Sequence, residues 1–201
     1  MRSKILDNIL IFFFIILLVG CTAGKDIEVK KDYILNTNNP NGLVLVHLSV
    51  DKILYLNWFN YLIRGINNEY KNAITAYNAY SSASNLSKYY EKNEKGRLAL
   101  IELPGGDYEF YNWMAGASGW GSTSTMESTD TFSKKFTVTP GKIVYIGHLH
   151  TNVYETGEGN MYQKKLRYEV ITRDSREQDM QLMKNEWKNI KAEDIAIRIM
   201  E

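Results

Sequence analysis

Three histidines are the residues of this sequence whose type and spacing best suit chemistry. His148 and His150 lie two residues apart in an apolar segment, His47 lies in another, and the chain has no further histidine. Side chains two apart on a strand point to the same face, so His148 and His150 would present two imidazoles together. Imidazole nitrogens are common zinc ligands, and three histidines on adjacent strands would form a zinc site like that of a β-structured hydrolase.

The alternative interpretation places His148 and His150 on the solvent-exposed face of a strand. Glu155 and Glu158 follow closely, and they either complete a metal site or belong to a solvated loop. A His-x-His pair is a weak motif by itself. Serine catalysis has less support, because no nucleophile-elbow sequence surrounds the serines of residues 118–122. We therefore predict no enzymatic activity and no cofactor, with the three-histidine, metal-dependent hydrolase as the alternative.

Six aromatic side chains form a second set of candidates. Tyrosine and tryptophan are typical anchors of binding surfaces, here for a glycan or a partner protein. Trp120 is the first candidate, because it lies in a Gly/Ser/Thr-rich loop. The alternative is that most of these rings belong to the core or to strand faces, which suit aromatic residues. The six are Tyr77, Tyr80, Tyr89, Tyr90, Trp113 and Trp120.

Cys21 is the only cysteine, and it follows a segment typical of a secretion signal. Arg2 and Lys4 precede an unbroken apolar run of 11 residues, 9–19. A bilayer span needs about 20 apolar residues, so this run is too short for an ordinary transmembrane helix. Its length and its basic flank predict the hydrophobic region of a signal peptide instead.

Leu18-Val19-Gly20-Cys21 resembles the lipobox of bacterial lipoproteins. The resemblance implies that residues 1–20 are removed and that Cys21 carries a diacylglyceryl group on sulfur and an acyl group on its new amino terminus. Two or more acyl chains hold a protein stably at a membrane. By analogy with the same class, Thr22 in place of Asp favours the outer over the inner membrane of a Gram-negative cell. The alternative is an ordinary signal peptide with a chance cysteine.

Length and charge limit what the exported chain can be. Removing residues 1–20 leaves 181 of the 201 residues, with 22 basic and 22 acidic side chains. A neutral chain offers no argument for nucleic-acid binding. With Cys21 as the sole cysteine, stability must come from an apolar core. We predict a lipidated cysteine and polar tether over residues 21–41, followed by one domain over residues 42–201.

Short alternating segments separated by Pro-Gly turns predict a mainly β domain. The turns lie at residues 103–106 and 139–142, and residues 115–130 are predicted to form a loop. About seven strands with this spacing are typical of an antiparallel β-sandwich, immunoglobulin-like or transthyretin-like. The predicted strands are 43–50, 97–103, 107–114, 131–138, 143–149 and 166–172. Residues 52–66 favour a strand with a helix as the alternative, and residues 73–80 form either a strand or a helical turn.

One amphipathic helix is predicted near the C-terminus. Four apolar residues recur at helical spacing, and Ser175 with Gln178 could form a capping box at the start. Isoleucines at alternate positions over residues 195–199 then predict a terminal strand. The apolar residues of the helix are Met180, Met183, Trp187 and Ile190.

A second resemblance covers residues 98–149. Leu103-Pro104-Gly105-Gly106-Asp107-Tyr108 and Pro140-Gly141-Lys142-Ile143-Val144-Tyr145-Ile146-Gly147 resemble uncharacterised bacterial lipoproteins with a small β-sandwich domain, and the helix over 174–187 is similar to their C-terminal region. Turn and strand motifs imply a fold and no chemistry. The sequence therefore predicts a membrane-anchored, non-enzymatic envelope lipoprotein that binds an envelope protein or glycan.

Overall fold

The computed structural model describes residues 27–52, 56–79, 87–89, 93–119, 122–128, 131–156 and 165–201. Within these ranges the chain forms eleven strands and one α-helix. Cys21 and the predicted signal lie outside the described residues. None of the described helices has the length and apolar character needed to cross a membrane. The elements are β1 (Asn41–Asp51), β2 (Trp58–Gly65), β3 (Lys71–Asn78), β4 (Ser87–Tyr89), β5 (Glu94–Pro104), β6 (Gly106–Gly119), β7 (Ser122–Glu127), β8 (Lys134–Val138), β9 (Ile143–Thr156), β10 (Lys165–Arg173), α1 (Arg176–Glu186) and β11 (Ile195–Ile197).

The strands form two sheets. The first has the order β10-β9-β1-β5-β4, with β11 beside the start of β9. The second has the order β3-β2-β6-β7, with β8 beside the start of β6. Pairing is antiparallel except that β9 runs parallel to β1 and to β11. The predicted mainly β, antiparallel architecture with one C-terminal helix is confirmed, but the predicted number of about seven strands is wrong.

The loop predicted over residues 115–130 is the main error in the strand count. β6 continues to Gly119, and β7 returns beside it with a regular antiparallel register. Met126 packs against the core, and threonine, which recurs in β7, favours extended backbone. Gly, Ser and Thr are the commonest loop residues, so composition alone concealed this hairpin.

β1 is buried on both faces because the first sheet is covered on both sides. Val44, Val46 and Leu48 face the second sheet in one apolar cluster. Leu43 and Leu45 point the other way, into a cluster with the helix. The domain therefore has three layers, and a sheet covered on both faces accounts for the continuous apolar run of β1.

The helix α1 packs against the first sheet through Met183, one residue of the predicted stripe. Trp187 and Ile190 are buried in the same cluster, but the helix ends at Glu186, so these two predicted helical positions lie in the turn that follows it. The predicted capping box does not form: Ser175 occupies the N-cap position without a capping hydrogen bond from its side chain. Its hydroxyl instead contacts Nδ1 of His148 at 3.0 Å. The terminal strand is confirmed as β11.

Part of the predicted tether packs against the domain. The Val29 amide donates to the Leu100 carbonyl at 3.0 Å, and the Glu102 amide donates to the Ile27 carbonyl at 2.7 Å. Glu28 forms a two-pronged ion pair with the buried Arg97. The chain is therefore attached to β5 from Ile27 onwards.

Candidate functional site

The structure brings the three histidines together. β1 and β9 are neighbours, and their parallel register sets His47 opposite His148 and Ser49 opposite His150. The His47 and His148 rings stack with centroids 3.8 Å apart and planes 7° apart. The His148 and His150 rings lie edge to face at 5.8 Å. All three occupy the face of the first sheet that carries the helix.

Gly147 makes this convergence possible. The β1–β9 register shifts between Leu45 and His47, where β9 has an irregularity. Gly147 lies there with φ of 99°, a conformation that favours glycine. Because side chains alternate along a strand, a regular β9 would place Tyr145 and His148 on opposite faces. The extra residue lets both side chains reach the helix side.

Replacing Gly147 with alanine should therefore disturb the cluster. The φ angle is strained for any side chain, and a Cβ would lie 3.2 Å from Cγ2 of Ile199 and 3.3 Å from the Arg173 carbonyl oxygen. We expect the free energy of unfolding to fall by about 1–3 kcal/mol. Urea unfolding measures the change, and histidine NMR signals report the rings. An unchanged midpoint with unchanged His148 signals would contradict this account of the bulge.

A chain of hydrogen bonds crosses the site. Ser175 Oγ contacts His148 Nδ1 at 3.0 Å, and His148 Nε2 contacts Ser49 Oγ at 2.6 Å. Ser49 Oγ also contacts His150 Nδ1 at 2.7 Å, and His150 Nε2 faces Asp51 Oδ1 at 3.3 Å. A serine hydroxyl has one proton to donate. The hydrogen bonds that link Ser175, His148, Ser49 and His150 are satisfied if each group donates to the next, with both imidazoles neutral. Nε2 of His150 then carries the proton that faces Asp51.

The other end of the cluster is held by a buried carboxylate. Asp179, on α1, is fully buried. One of its oxygens contacts His47 Nδ1 at 2.8 Å, and the other accepts a hydrogen bond from the Tyr145 hydroxyl at 2.6 Å. Burial and the Asp179 carboxylate raise the pKa of Tyr145, so its phenol stays protonated. Asp179 therefore ties the helix to both β1 and β9.

Burial determines the charge state of His148 and His150. It lowers the pKa of His148 to about 2, and His47, His150 and Arg173 shift it in the same direction. Burial also lowers the pKa of His150, although the carboxylates of Glu94 and Asp51 oppose the change. A neutral imidazole is the form that accepts hydrogen bonds and binds metals. Both side chains are therefore neutral near pH 7.

The geometry fits acid–base catalysis poorly. Ser175 is half-buried beside a cavity of about 470 Å³ lined by residues 174–178, and His148 is within reach as a base. An effective general base has a pKa near the working pH, and that of His148 lies far below it. Ser49 and His150 have no solvent-exposed surface. The cluster is better suited to holding strands together, or a metal, than to activating a nucleophile.

The predicted aromatic surface is only partly described. Tyr77 is half-buried against the core, and its hydroxyl accepts a hydrogen bond from Lys95 Nζ at 3.0 Å. Trp113 is 2% exposed and belongs to the core, so it offers no binding surface. Tyr80, Tyr90, Trp120 and Glu158 lie outside the described residues, as do the side chains of Tyr89 and Glu155.

A different aromatic residue occupies the outer face of the second sheet. Trp58 pairs with Gly116, and a Cβ on that glycine would come within 2.2 Å of the indole. The Nε1 side of the indole therefore packs against the Gly116 backbone. Phe59, the residue after Trp58, points into the core. Because side chains alternate along a strand, Asn60 and Leu62 therefore lie on the same side of β2 as Trp58. We call this surface the Trp58 face; its half-buried members are Trp58, Asn60, Leu62 and Met114, around Gly116.

Several residues of the histidine cluster and of the Trp58 face were not predicted from the sequence. Ser49 and Asp51 follow His47 at alternate positions of one strand, so strict alternation along β1 could have placed them beside it. Glu94 and Asp179 come from distant segments, and no local pattern connects them to the histidines. Trp58 lies within the predicted strand over residues 52–66, but its contact with Gly116 depends on the pairing of two residues that are 58 positions apart in sequence.

Comparison with models of known protein families gave no match, and neither did comparison with curated proteins. One solved structure, a leucine-rich repeat protein from Bacteroides thetaiotaomicron, aligns with 15% identity and a TM-score of 0.34. The alignment covers 55% of this chain and 14% of that protein. A similarity this low supports no inference about fold or function.

Proposed function

We propose that the protein is an envelope lipoprotein, held at the membrane by lipid on Cys21, which binds an envelope protein or glycan and catalyses no reaction. The lipobox-like residues 18–21 support the anchor, and Thr22 favours the outer membrane. The packing of the Trp58 indole against Gly116 on the outer face of the second sheet is the observation that carries the binding part of the proposal.

The composition of the Trp58 face favours a glycan over a protein as the ligand. The Trp58 indole rests on Gly116 and is half-buried, so part of the ring is accessible for the apolar face of a sugar to stack on. Asn60 is half-buried beside the ring, and Thr125 is exposed on β7 opposite Gly116. An aromatic platform beside polar side chains suits a hydroxyl-rich ligand.

Protein interfaces are centred on larger apolar patches. The exposed large apolar side chains of the described chain are Ile34, Ile66, Tyr154 and Ile197, and none belongs to the Trp58 face. This distribution is the second reason for preferring a glycan.

The convergence of His47, His148 and His150 favours a metal-dependent hydrolase as the second candidate. Their exposed fractions are 0%, 3% and 0%, which opposes it, because a catalytic metal needs a position that substrate can reach. Hydrolysis of ester, amide or phosphate substrates by the zinc-loaded protein, lost in His148→Ala, would favour the hydrolase over the binding module.

Replacing Trp58 with alanine should weaken binding to isolated envelope glycan strands by about 30-fold or more, the effect of losing an aromatic hot spot. Co-sedimentation of the full-length protein in detergent measures this. Gly116→Ala should weaken binding similarly, because the new methyl group displaces the indole.

Tyr154→Ala is the matched control, since Tyr154 is an exposed aromatic residue on the first sheet. Full binding by Trp58→Ala would contradict the proposed face. If glycan strands do not sediment the protein but a crosslinked envelope protein is recovered in a Trp58-dependent way, the ligand is a protein.

A further inference from the structure

A second site lies on the face of the first sheet that carries the helix. It is at the end of the histidine cluster that is nearest to solvent. His148 and His150 of β9 and Glu94 of β5 each offer one ligand atom, and these three atoms lie within 4.8 Å of one another. Two imidazoles and a carboxylate are ligands that Zn²⁺ accepts. We propose that Glu94, His148 and His150 bind a zinc-like divalent transition metal that fastens β5 to β9.

Neighbouring groups orient each ligand. Asp51 Oδ1 faces Nε2 of His150 at 3.3 Å, so a proton on Nε2 leaves a lone pair on Nδ1. Ser175 Oγ contacts Nδ1 of His148 at 3.0 Å and can accept its proton, which leaves a lone pair on Nε2. Metal-binding histidines are commonly held in this way by a carboxylate or hydroxyl on the other nitrogen.

The carboxylate ligand is also held in place. Arg173 donates to Oε1 of Glu94 at 2.6 Å, while Oε2 lies 3.6 Å from Nδ1 of His150. With neutral histidines, the carboxylates of Glu94 and Asp51 outnumber the Arg173 guanidinium by one negative charge. Binding a divalent cation would therefore neutralise a partly buried negative site, which favours binding.

The Ser49 hydroxyl lies between the ligand atoms of His148 and His150. Its oxygen lies 2.6 Å from His148 Nε2 and 2.7 Å from His150 Nδ1. Binding requires this hydroxyl to rotate away and His148 to move its proton from Nε2 to Nδ1, with no net gain or loss of protons. Glu94 and Asp51 are 13% and 35% exposed, so an ion can enter from their side.

His47 is not a ligand in this proposal. Its Nδ1 contacts Asp179 at 2.8 Å, and its ring stacks on His148. This distinguishes the proposed ligand set from one made of the three histidines, and it supplies a control. In His47→Asn, the amide nitrogen can replace Nδ1 beside Asp179 while the imidazole is lost.

The test uses the full-length protein without a histidine tag, in detergent, after treatment with a chelator. Zn²⁺ is titrated in competition with a chromophoric chelator, and Co²⁺ absorption reports nitrogen and oxygen ligands. We expect one ion per chain and a higher melting temperature with Zn²⁺. Glu94→Gln and His150→Gln should weaken binding by more than about tenfold, the loss typical of removing even a partner of a ligand.

His47→Asn should bind one ion with affinity within a few-fold of the unchanged protein, with circular dichroism confirming that each variant is folded. Absence of stoichiometric Zn²⁺ binding at micromolar concentration would overturn the proposal. Unchanged affinity in both glutamine variants would overturn it equally, and so would loss of binding in folded His47→Asn. None of these results depends on the Trp58 face, so this site and the proposed function can fail separately.

Discussion

Cys21→Ser is expected to abolish incorporation of labelled palmitate and to leave residues 1–20 uncleaved. A serine oxygen does not replace the cysteine sulfur as the acceptor of diacylglycerol, and the lipobox resemblance makes that transfer the first step. Residues 21–201 are close to neutral, with 22 basic and 22 acidic side chains, so their net charge supplies no attraction to an anionic membrane in place of the lipid. Labelling of cells followed by mass measurement of the purified chain gives the result.

Membrane fractionation alone would be a poor readout, because an uncleaved apolar segment over residues 9–19 can itself hold the chain at the membrane. Thr22→Asp is the matched control: it should still be labelled, but in a Gram-negative host it should move to the inner-membrane fraction. Palmitate on the Cys21→Ser protein, or none on the unchanged protein, would contradict the anchor.

Asp179→Ala is expected to lower the free energy of unfolding by about 3–5 kcal/mol, the usual result of removing one member of a buried, hydrogen-bonded polar pair. The substitution leaves His47 and Tyr145 without the carboxylate that joins them to α1. Single domains have a total stability of about 5–15 kcal/mol, so the change removes a large part of it. Urea unfolding followed by tryptophan fluorescence and circular dichroism measures the effect.

Asp174→Ala provides the comparison on the same helix end. Asp174 pairs with Arg176 at 2.9 Å, with both side chains about half exposed. Exposed ion pairs contribute less than about 1 kcal/mol, so this variant should remain close to the unchanged protein. Equal, small losses in the two variants would show that the buried Asp179 contacts contribute little to stability.

The sequence predicted features that depend on local patterns. The apolar runs of β1, β5 and β9, bounded by turn residues, identified most of the first sheet, and Met180 and Met183 identified the sheet-facing side of α1. These predictions succeeded because each depends on the composition of a short local segment.

Features that depend on pairing between distant segments were not predictable. Ser175 followed a local capping pattern, yet its hydroxyl contacts His148 because the tertiary fold brings β9 beside it. The bulge at Gly147 decides which face His148 occupies, and one sequence cannot distinguish this glycine from one in an ordinary strand. The β6–β7 hairpin was not predicted because its composition is typical of a loop. It extends the sheet that carries the Trp58 face.

The proposed function combines anchoring at Cys21 with binding through the Trp58 face, and photo-crosslinking in living cells tests both together. A photoreactive amino acid at Leu62, on that face, is compared with one at Tyr154, on the other sheet. We expect Leu62 to yield a crosslinked product containing an envelope glycan or protein, and we expect this product to be lost with Trp58→Ala and reduced with Cys21→Ser. No product from Leu62, or the same product from Tyr154, would contradict the proposed function.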